Sequence, residues 1–223
     1  MEINDINSAL VIWNEMRGNA GNSLLMLASG HYFEIPRSMY TFWENKGVGD
    51  QDTIHAYVGV VEVPDQRLKF LMIDSIADAQ HDPPASEVKV ALYQYGDDEN
   101  VPIPVFRNNP PHNQIDVLEG LERSFRWMIN RKEYVIQEAA KHGEDSGIFQ
   151  AMHIPMKDLT ELFGDPSCAS VMAVIGMRED YVPELILWNN DFSKNELVED
   201  VALPIPPFRN NQSDYQLLHS ALH

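Results

Sequence analysis

Cysteine is almost absent from this sequence, which limits both its stabilisation and its chemistry. Cys168 is the only cysteine among 223 residues. The chain therefore has no internal disulfide framework and no Cys-x-x-Cys pair for a metal or redox site. Because Cys168 lies at the start of an apolar stretch in GDPSCASV, we expect a small buried hydrophobic side chain rather than a nucleophile.

Basic residues are also scarce. Sixteen Lys and Arg stand against 34 Asp and Glu, which gives a formal net charge of -18. A field of that sign repels phosphate backbones and anionic membrane surfaces, so neither nucleic acid nor membrane is expected as a partner. The charge is compatible with a basic protein partner, and equally with plain solubility.

Long apolar runs and targeting features are missing as well. No apolar run approaches the roughly 20 residues that a membrane span needs. The first residues, MEINDINSALVIWNEM, lack a basic region followed by a clean apolar core, so a signal peptide is not expected. The default expectation is a cytoplasmic protein.

The stronger catalytic and metal-binding motifs do not occur. The sequence has no GxxxxGK[ST], GxGxxG, GxSxG or HExxH, and these are the patterns that most directly indicate an enzyme. His219 and His223 are four residues apart, as two zinc ligands on one helix face would be, but no third ligand is specified. We therefore expect no metal site and no cofactor, and whether the protein is an enzyme stays open, with the negative answer favoured.

Hydrophobic residues make up 44% of the chain, enough for a substantial core. Apolar spacing predicts a helix over residues 5–17 and a long helix, about 30 residues, over 113–142. Short apolar or alternating segments, two of them joined in each half by Pro- and Asp-containing loops typical of hairpins, predict strands. These lie at residues 53–63, 67–76 and 87–96 in the first half, and at 169–177, 183–190 and 196–203 in the second.

Two segments of the sequence occur twice. PIPVFRNN at residues 102–109 and PIPPFRNN at residues 204–211 share seven of eight residues. HYFEIPRSMYTFW (31–43) and AMHIPMKDLTELF (151–163) both resemble a strand followed by Ile-Pro and a short helix, with proline in its favoured first helical position. The two kinds of segment occur in the same order in both halves.

This order predicts an α+β protein that arose by internal duplication of a strand–helix–two or three strands–helix unit. The sheet is expected to be mainly antiparallel and the halves to be related by a pseudo-twofold arrangement, sharing one core or one continuous sheet. The predicted organisation is an N-terminal helical segment (1–29), a first repeat (30–111), a long connecting helix (112–143) and a second, shorter repeat (144–223) within one compact body.

The repeated octapeptide has a structural and a functional interpretation. Its prolines and asparagines suit an extended edge that turns into a helix start, and this structural role is favoured. The alternative is a ligand site, in which Arg107, Asn108, Arg209 and Asn210 hold an anionic metabolite between the repeats, because a guanidinium group suits carboxylate and phosphate.

An aromatic-rich segment raises the question of a binding surface. Five aromatic residues fall within residues 32–43, more than one buried face of a short helix can hold. Tyr32, Tyr40, Phe42 and Trp43 are the candidate interaction residues. The favoured hypothesis is thus a non-enzymatic protein-interaction or regulatory module that binds a basic protein or associates with itself as a homodimer. The alternative is an enzyme or small-ligand binder that uses Arg107 and Arg209.

Overall fold

The structure is a computed structural model that describes residues 1–61, 66–95, 114–141, 147–189, 197–205 and 215–222. Its helices are α1 (Ile3–Arg17), α2 (Ala20–Leu27), α3 (Arg37–Asn45), α4 (Ser75–Asp78), α5 (Val117–Ala139), α6 (Met156–Phe163) and α7 (Gln216–Leu222). Its strands are β1 (Tyr32–Pro36), β2 (Thr53–Val61), β3 (Arg67–Asp74), β4 (Lys89–Leu92), β5 (Gln114–Asp116), β6 (Ala151–Pro155), β7 (Ser170–Met177), β8 (Pro183–Asn189) and β9 (Leu197–Ile205).

Side-chain capping sets the start of several helices. Asp116 accepts a hydrogen bond from the backbone N–H of Glu119 at 2.9 Å, so α5 begins directly after β5. Glu2 and Asp5 form a reciprocal capping box at α1. These contacts satisfy N–H groups of the first turn that have no partner within the helix.

Within the described residues, the nine strands belong to one sheet, and each pair of neighbouring strands is antiparallel. The strand order is β1-β7-β8-β9-β6-β2-β3-β4, with β5 paired to β9. Helices combined with a mainly antiparallel sheet confirm the predicted α+β class, and the sheet is continuous across both halves of the sequence. The predicted β2–β3 and β7–β8 hairpins are also confirmed.

The two ends of this strand order meet. Tyr32 of β1 forms a bridge with Gln94, two residues beyond β4. The backbone N–H of Gln94 donates to the Tyr32 carbonyl at 2.9 Å, and the N–H of His31 donates to the Gln94 carbonyl at 2.8 Å. The sheet therefore curls until its first and last strands are joined, and it encloses a core.

The enclosed core is built from alternate residues of the strands. In β2, for example, Ile54, Ala56 and Val58 point inward and are completely buried, as expected for a strand whose side chains alternate between two faces. The rings of Phe33 and Phe70 stack inside with their centroids 4.0 Å apart. Cys168 is buried in the same core, as predicted.

Helices cover parts of the outer face of the sheet. α1 and α7 pack over β2 and β3, and α5 packs over β7 and β8. Glycine allows this close approach at α1, because a Cβ on Gly59 would lie 3.1 Å from the Cβ of Ala9. At Gly176 an added Cβ would instead meet Ile186 of β8 at 2.5 Å.

The helices and strands agree with the sequence predictions in position more than in extent. Residues 31–43 and 151–163 each form a strand and a short helix, as predicted. The long helix has 23 residues rather than about 30, and α2 occupies a segment that sequence patterns leave unassigned. No helix in the described ranges is long and apolar enough to cross a membrane.

Candidate interaction surface

Helix α5 carries apolar residues on two opposite sides, one facing the core and one facing solvent. One side carries Val117, Gly120, Trp127, Tyr134 and Val135, all buried. Five of the eleven large hydrophobic side chains that are exposed among the described residues also belong to this helix, so α5 combines a core face with an apolar solvent face. They are Leu118 (48% exposed), Phe125 (57%), Met128 (45%), Ile129 (77%) and Ile136 (50%).

Four of these side chains form a straight line. With 3.6 residues per turn, spacings of 7, 4 and 7 residues return to nearly the same side of a helix. We call Leu118, Phe125, Ile129 and Ile136 the apolar ridge. Its two ends are 18 residues apart in sequence, or about 27 Å at 1.5 Å per residue. It lies opposite the buried Trp127 and therefore at the centre of the solvent face.

Charged residues occupy the gaps in the ridge. Glu122 lies between Leu118 and Phe125, and Lys132 lies between Ile129 and Ile136; both are exposed. With these two included, the spacing along the line is 4, 3, 4, 3 and 4 residues. This alternation is the pattern that two helices need to pack side by side.

The underside of α5 is fixed firmly to the rest of the fold. Arg123 donates to both carboxylate oxygens of Glu184 at 3.1 Å, and Glu184 is only 2% exposed. Arg126 donates to the carbonyl of Met177 at 3.1 Å, and Arg131 donates to the carbonyl of Leu27 at 2.9 Å. Because these contacts are on the core side, they hold the helix without covering the ridge.

Aromatic packing completes this attachment. The ring of Trp127 lies edge-on to that of Tyr134, with centroids 5.6 Å apart, and 6.3 Å from the ring of Phe149. Burial raises the pKa of the Tyr134 phenol well above its usual range. The Tyr134 phenol therefore stays neutral in the ordinary pH range, and its packing against Trp127 supports the exposed face of α5 from below.

An open groove of about 590 Å³ lies beside the N-terminal part of α5, against the β7–β8 hairpin. Its lining holds three arginines and five carboxylates, and each arginine is paired: Arg123 with Glu119 and Glu184, Arg126 with Glu179, and Arg178 with Asp180. Because its cations are already neutralised, this groove has little to offer an anionic ligand.

A second polar cluster is buried between β2, α4 and α7. The carboxylate of Asp78, which is completely buried, accepts hydrogen bonds from His55 Nδ1 at 2.6 Å and from the Tyr57 hydroxyl. Its other oxygen accepts the backbone N–H of Leu217 at 2.9 Å. The ring of Tyr215 covers His55 with centroids 4.4 Å apart.

The geometry of this cluster indicates a structural role. A carboxylate can only accept, so His55 Nδ1 carries a proton, and Nε2 faces the Thr53 hydroxyl at 3.4 Å. Burial, followed by the neighbouring Asp78 carboxylate, raises the pKa of the Tyr57 phenol well above its usual range. His55, Tyr57 and Asp78 are each at most 3% exposed, so within the part of the chain that the structure describes the cluster is closed to a substrate and attaches α7 to the sheet.

The ligand residues predicted from the octapeptide lie outside the described residues. These are Arg107, Asn108, Arg209 and Asn210. The ligand hypothesis that they carry stays a prediction. Within the ranges that the structure describes, no group of three or more His, Cys, Asp and Glu side chains is placed to hold a metal ion.

The predicted aromatic residues are distributed between core and surface. Tyr40 and Trp43 are buried in the central core, whereas Tyr32 and Phe42 are half-buried. The ammonium group of Lys89 lies 3.3 Å from the centroid of the Phe42 ring, and that of Lys46 lies 5.0 Å away. Burial, followed by the nearby charge of Lys46, lowers the pKa of Lys89. A partner contact at Tyr32 and Phe42 stays a prediction.

The apolar ridge is the feature that sequence reasoning missed, although its residues were visible. The sequence prediction places all apolar residues of the long helix in one stripe, although some of them belong to the buried face of α5 and others to its exposed face. The two faces can be separated by spacing. Gly120, Trp127 and Tyr134 recur every seven residues on the buried side, and the ridge residues follow their own line on the opposite side.

Comparisons with known proteins add no further constraint. No protein family, curated protein or solved structure matches this chain. Any account of its function therefore depends on the arrangement of its own residues.

Proposed function

We propose that this protein is a non-enzymatic, cytoplasmic protein-interaction module and that the solvent face of α5 is its binding surface. The observation that carries the proposal is the apolar ridge, whose central residue Ile129 is 77% exposed on a helix that is fixed by buried contacts. Single exposed apolar residues are ordinary, but a contiguous exposed patch is typical of a surface that binds another protein.

The energetics favour a partner over permanent exposure. Transfer of apolar surface out of water contributes about 25 cal/mol for each Å², and the four ridge side chains form one strip that a second helix would cover. Because α5 is already folded and held by its core contacts, its backbone also loses little conformational entropy on binding. The ridge thus combines exposed apolar area with an already ordered helix, and both properties favour binding even at a small interface.

The experiment is site-specific photo-crosslinking in cells of the source organism. A benzophenone amino acid replaces Ile129, and in a matched control it replaces Ile76 of α4, an isoleucine that is also exposed (52%) but lies away from the ridge. The proposal predicts discrete crosslinked protein species from position 129 and none from position 76. If position 129 gives no crosslinked species, the proposal fails.

We also propose that the two halves of the chain descend from one duplicated unit with a pseudo-twofold arrangement. The strand pairings support this: β1 pairs with β7 as β6 pairs with β2, and β2–β3 and β3–β4 correspond to β7–β8 and β8–β9. The bridge of Tyr32 to Gln94 then corresponds to the β6–β9 pair. Gly59 and Gly176 occupy matching registers, opposite Lys69 and Glu184.

A further inference from the structure

We infer that the partner of the apolar ridge is the ridge of a second copy of this chain, with the two α5 helices antiparallel. This inference rests on the proposed function, because it names the occupant of the same surface. A twofold dimer requires a surface that is complementary to itself. The α5 face meets that requirement in one register, in which both its apolar and its charged residues find suitable partners.

The apolar residues fix the register. In an antiparallel pair centred on residue 127, a residue n positions after 127 lies level with the residue n positions before 127 in the other copy. The numbers of two facing residues therefore sum to 254. Leu118 then faces Ile136 of the second copy, and Phe125 faces its Ile129. Because the symmetry repeats each contact, the four ridge residues of one helix meet the four of the other, and none is left against water or a charged group.

The charged residues fix the direction. In the same register Glu122 of each copy faces Lys132 of the other, so the two gaps in the ridge are filled by two opposite-charge pairs. In a parallel, in-register pair each Glu122 would face another Glu122, and each Lys132 another Lys132. Like charges across a seam oppose association, and such pairs commonly determine how two helices align.

Other antiparallel registers lose this match. A shift by one heptad toward the N-terminus places Leu118 against Ile129 and Glu122 against Phe125, which buries a carboxylate beside an aromatic ring without a partner. It also leaves Ile136 beyond the end of the overlap with the ridge. The register that sums to 254 is thus the one in which burial of the ridge and pairing of its charges agree.

Disulfide trapping tests both direction and register. Leu118→Cys and Ile136→Cys chains are prepared separately, each keeping the buried Cys168 as an internal control, and are oxidised alone and as an equimolar mixture. In the antiparallel pair, residue 118 lies opposite residue 136 and about 27 Å along the axis from residue 118 of the second copy. The expected result is a covalent dimer in the mixture and very little in either chain alone.

Charge exchange provides a second, independent test. Glu122→Lys and Lys132→Glu each replace two attractive pairs by two repulsive ones, and each is expected to weaken dimerisation about tenfold. The double variant Glu122→Lys/Lys132→Glu restores opposite charges across an antiparallel seam and is expected to recover wild-type affinity. A double variant as weak as the singles would overturn the antiparallel pairing.

The outcomes separate this inference from the proposed function. Covalent dimers from either cysteine variant alone would indicate a parallel pair and overturn the inference. If no disulfide forms and photo-crosslinking at position 129 captures only a different protein, the second copy is excluded while α5 remains a binding surface. If neither experiment gives a crosslink, both the inference and the proposed function fail.

Discussion

Asp78 shows how much of this fold depends on single buried polar groups. Its carboxylate receives three hydrogen bonds, from His55, Tyr57 and the backbone of Leu217, and no part of it is exposed. Hydrogen bonds to a charged acceptor are stronger than neutral ones, and removal of the charge leaves buried donors without a suitable partner. Asp78 is therefore the main polar attachment of α7 to the sheet, beside the apolar packing of Leu217.

We expect Asp78→Asn to lower the free energy of unfolding by about 3 kcal/mol. The new amide nitrogen is a donor, so it cannot accept the hydrogen bonds that reach the carboxylate oxygen it replaces. Urea denaturation measures the change, and Asp82→Asn, at a side chain that is 90% exposed, is the matched control. Equal stability of the two variants would contradict a structural role for the cluster.

His153 gives the fold an acid-sensitive position. It faces His55 across the β2–β6 pair, and burial followed by the charge of His55 lowers the pKa of His153 below its usual value near 6.5. As the pH falls below 6.5 the unfolded chain binds this proton before the folded chain does. The corresponding stability is therefore complete above pH 6.5 and is lost as the pH falls toward the lowered pKa.

The pH dependence predicts the behaviour of His153→Gln. Between about pH 7.5 and about pH 5.5 this variant should lose less unfolding free energy than the wild type, by on the order of 1 kcal/mol, because the histidine that resists protonation in the folded state is gone. Chemical denaturation at both pH values measures the difference. The exposed His81 provides the control, and a His153→Gln slope equal to that of His81→Gln would contradict the account.

None of these residue contacts has a local sequence signal. His55 and Asp78 are 23 residues apart, and Leu217 is 139 residues from Asp78. The cluster forms only because the strand order brings β2, α4 and α7 together. For the same reason Tyr40 and Trp43 could be recognised as candidates for burial or binding, but only the packed core decides that they are buried.

At the scale of an element, α5 combines two tasks that most helices keep apart. Its core side packs Trp127 and Val135 into the interior, while its solvent side carries Phe125 and Ile129. A helix that only supported the fold would have polar residues on the second side. The two faces should therefore respond to mutation in opposite ways.

We expect Ile129→Glu to leave the unfolding free energy of the monomer within about 0.5 kcal/mol of the wild type. The side chain is exposed, so its replacement removes no core contact. Trp127→Ala, on the buried side of the same helix, should cost about 3–5 kcal/mol. Denaturation at low protein concentration compares the two. A loss for Ile129→Glu that approaches that of Trp127→Ala would mean that the ridge packs within the monomer.

The elements themselves were largely predictable, because period and turn residues are local. Alternation and hairpin loops located β2, β3, β7 and β8, and Ile-Pro marked the start of α3 and α6. The limits of α5 were not predictable from its apolar pattern, since Ile115, the first apolar residue of that pattern, belongs to β5 and the helix ends at Ala139, before the predicted stop at 142. The division of α5 into two faces depends on which side meets β7 and β8, and this is decided by tertiary packing.

At the scale of the whole molecule, the sheet connects distant parts of the sequence. β1 pairs with β7 although their paired residues, such as Tyr32 and Val174, lie 142 residues apart. A repeated octapeptide indicated a relation between two halves, but strand order follows from long-range pairing and not from local pattern. Both copies of the octapeptide fall largely outside the described residues, so its role as a joint or as a site stays a prediction.

The net charge of -18 makes salt a test of partner type. Two copies of an acidic chain repel each other, and salt screens that repulsion over about 10 Å at 0.1 M. Self-association through the apolar ridge should therefore become stronger between about 50 and about 300 mM salt. Binding of a basic protein would become weaker over the same range. Light scattering at fixed protein concentration distinguishes the two directions.

The most direct measurement is sedimentation velocity over a concentration series from about 1 to about 300 µM, with the wild type and Ile129→Glu run side by side. We expect the wild type to pass from one copy to two as concentration rises, and Ile129→Glu to remain a single copy throughout. A wild type that stays monomeric at the highest concentration, or an Ile129→Glu chain that dimerises equally well, would contradict the assignment of α5 as a self-pairing surface.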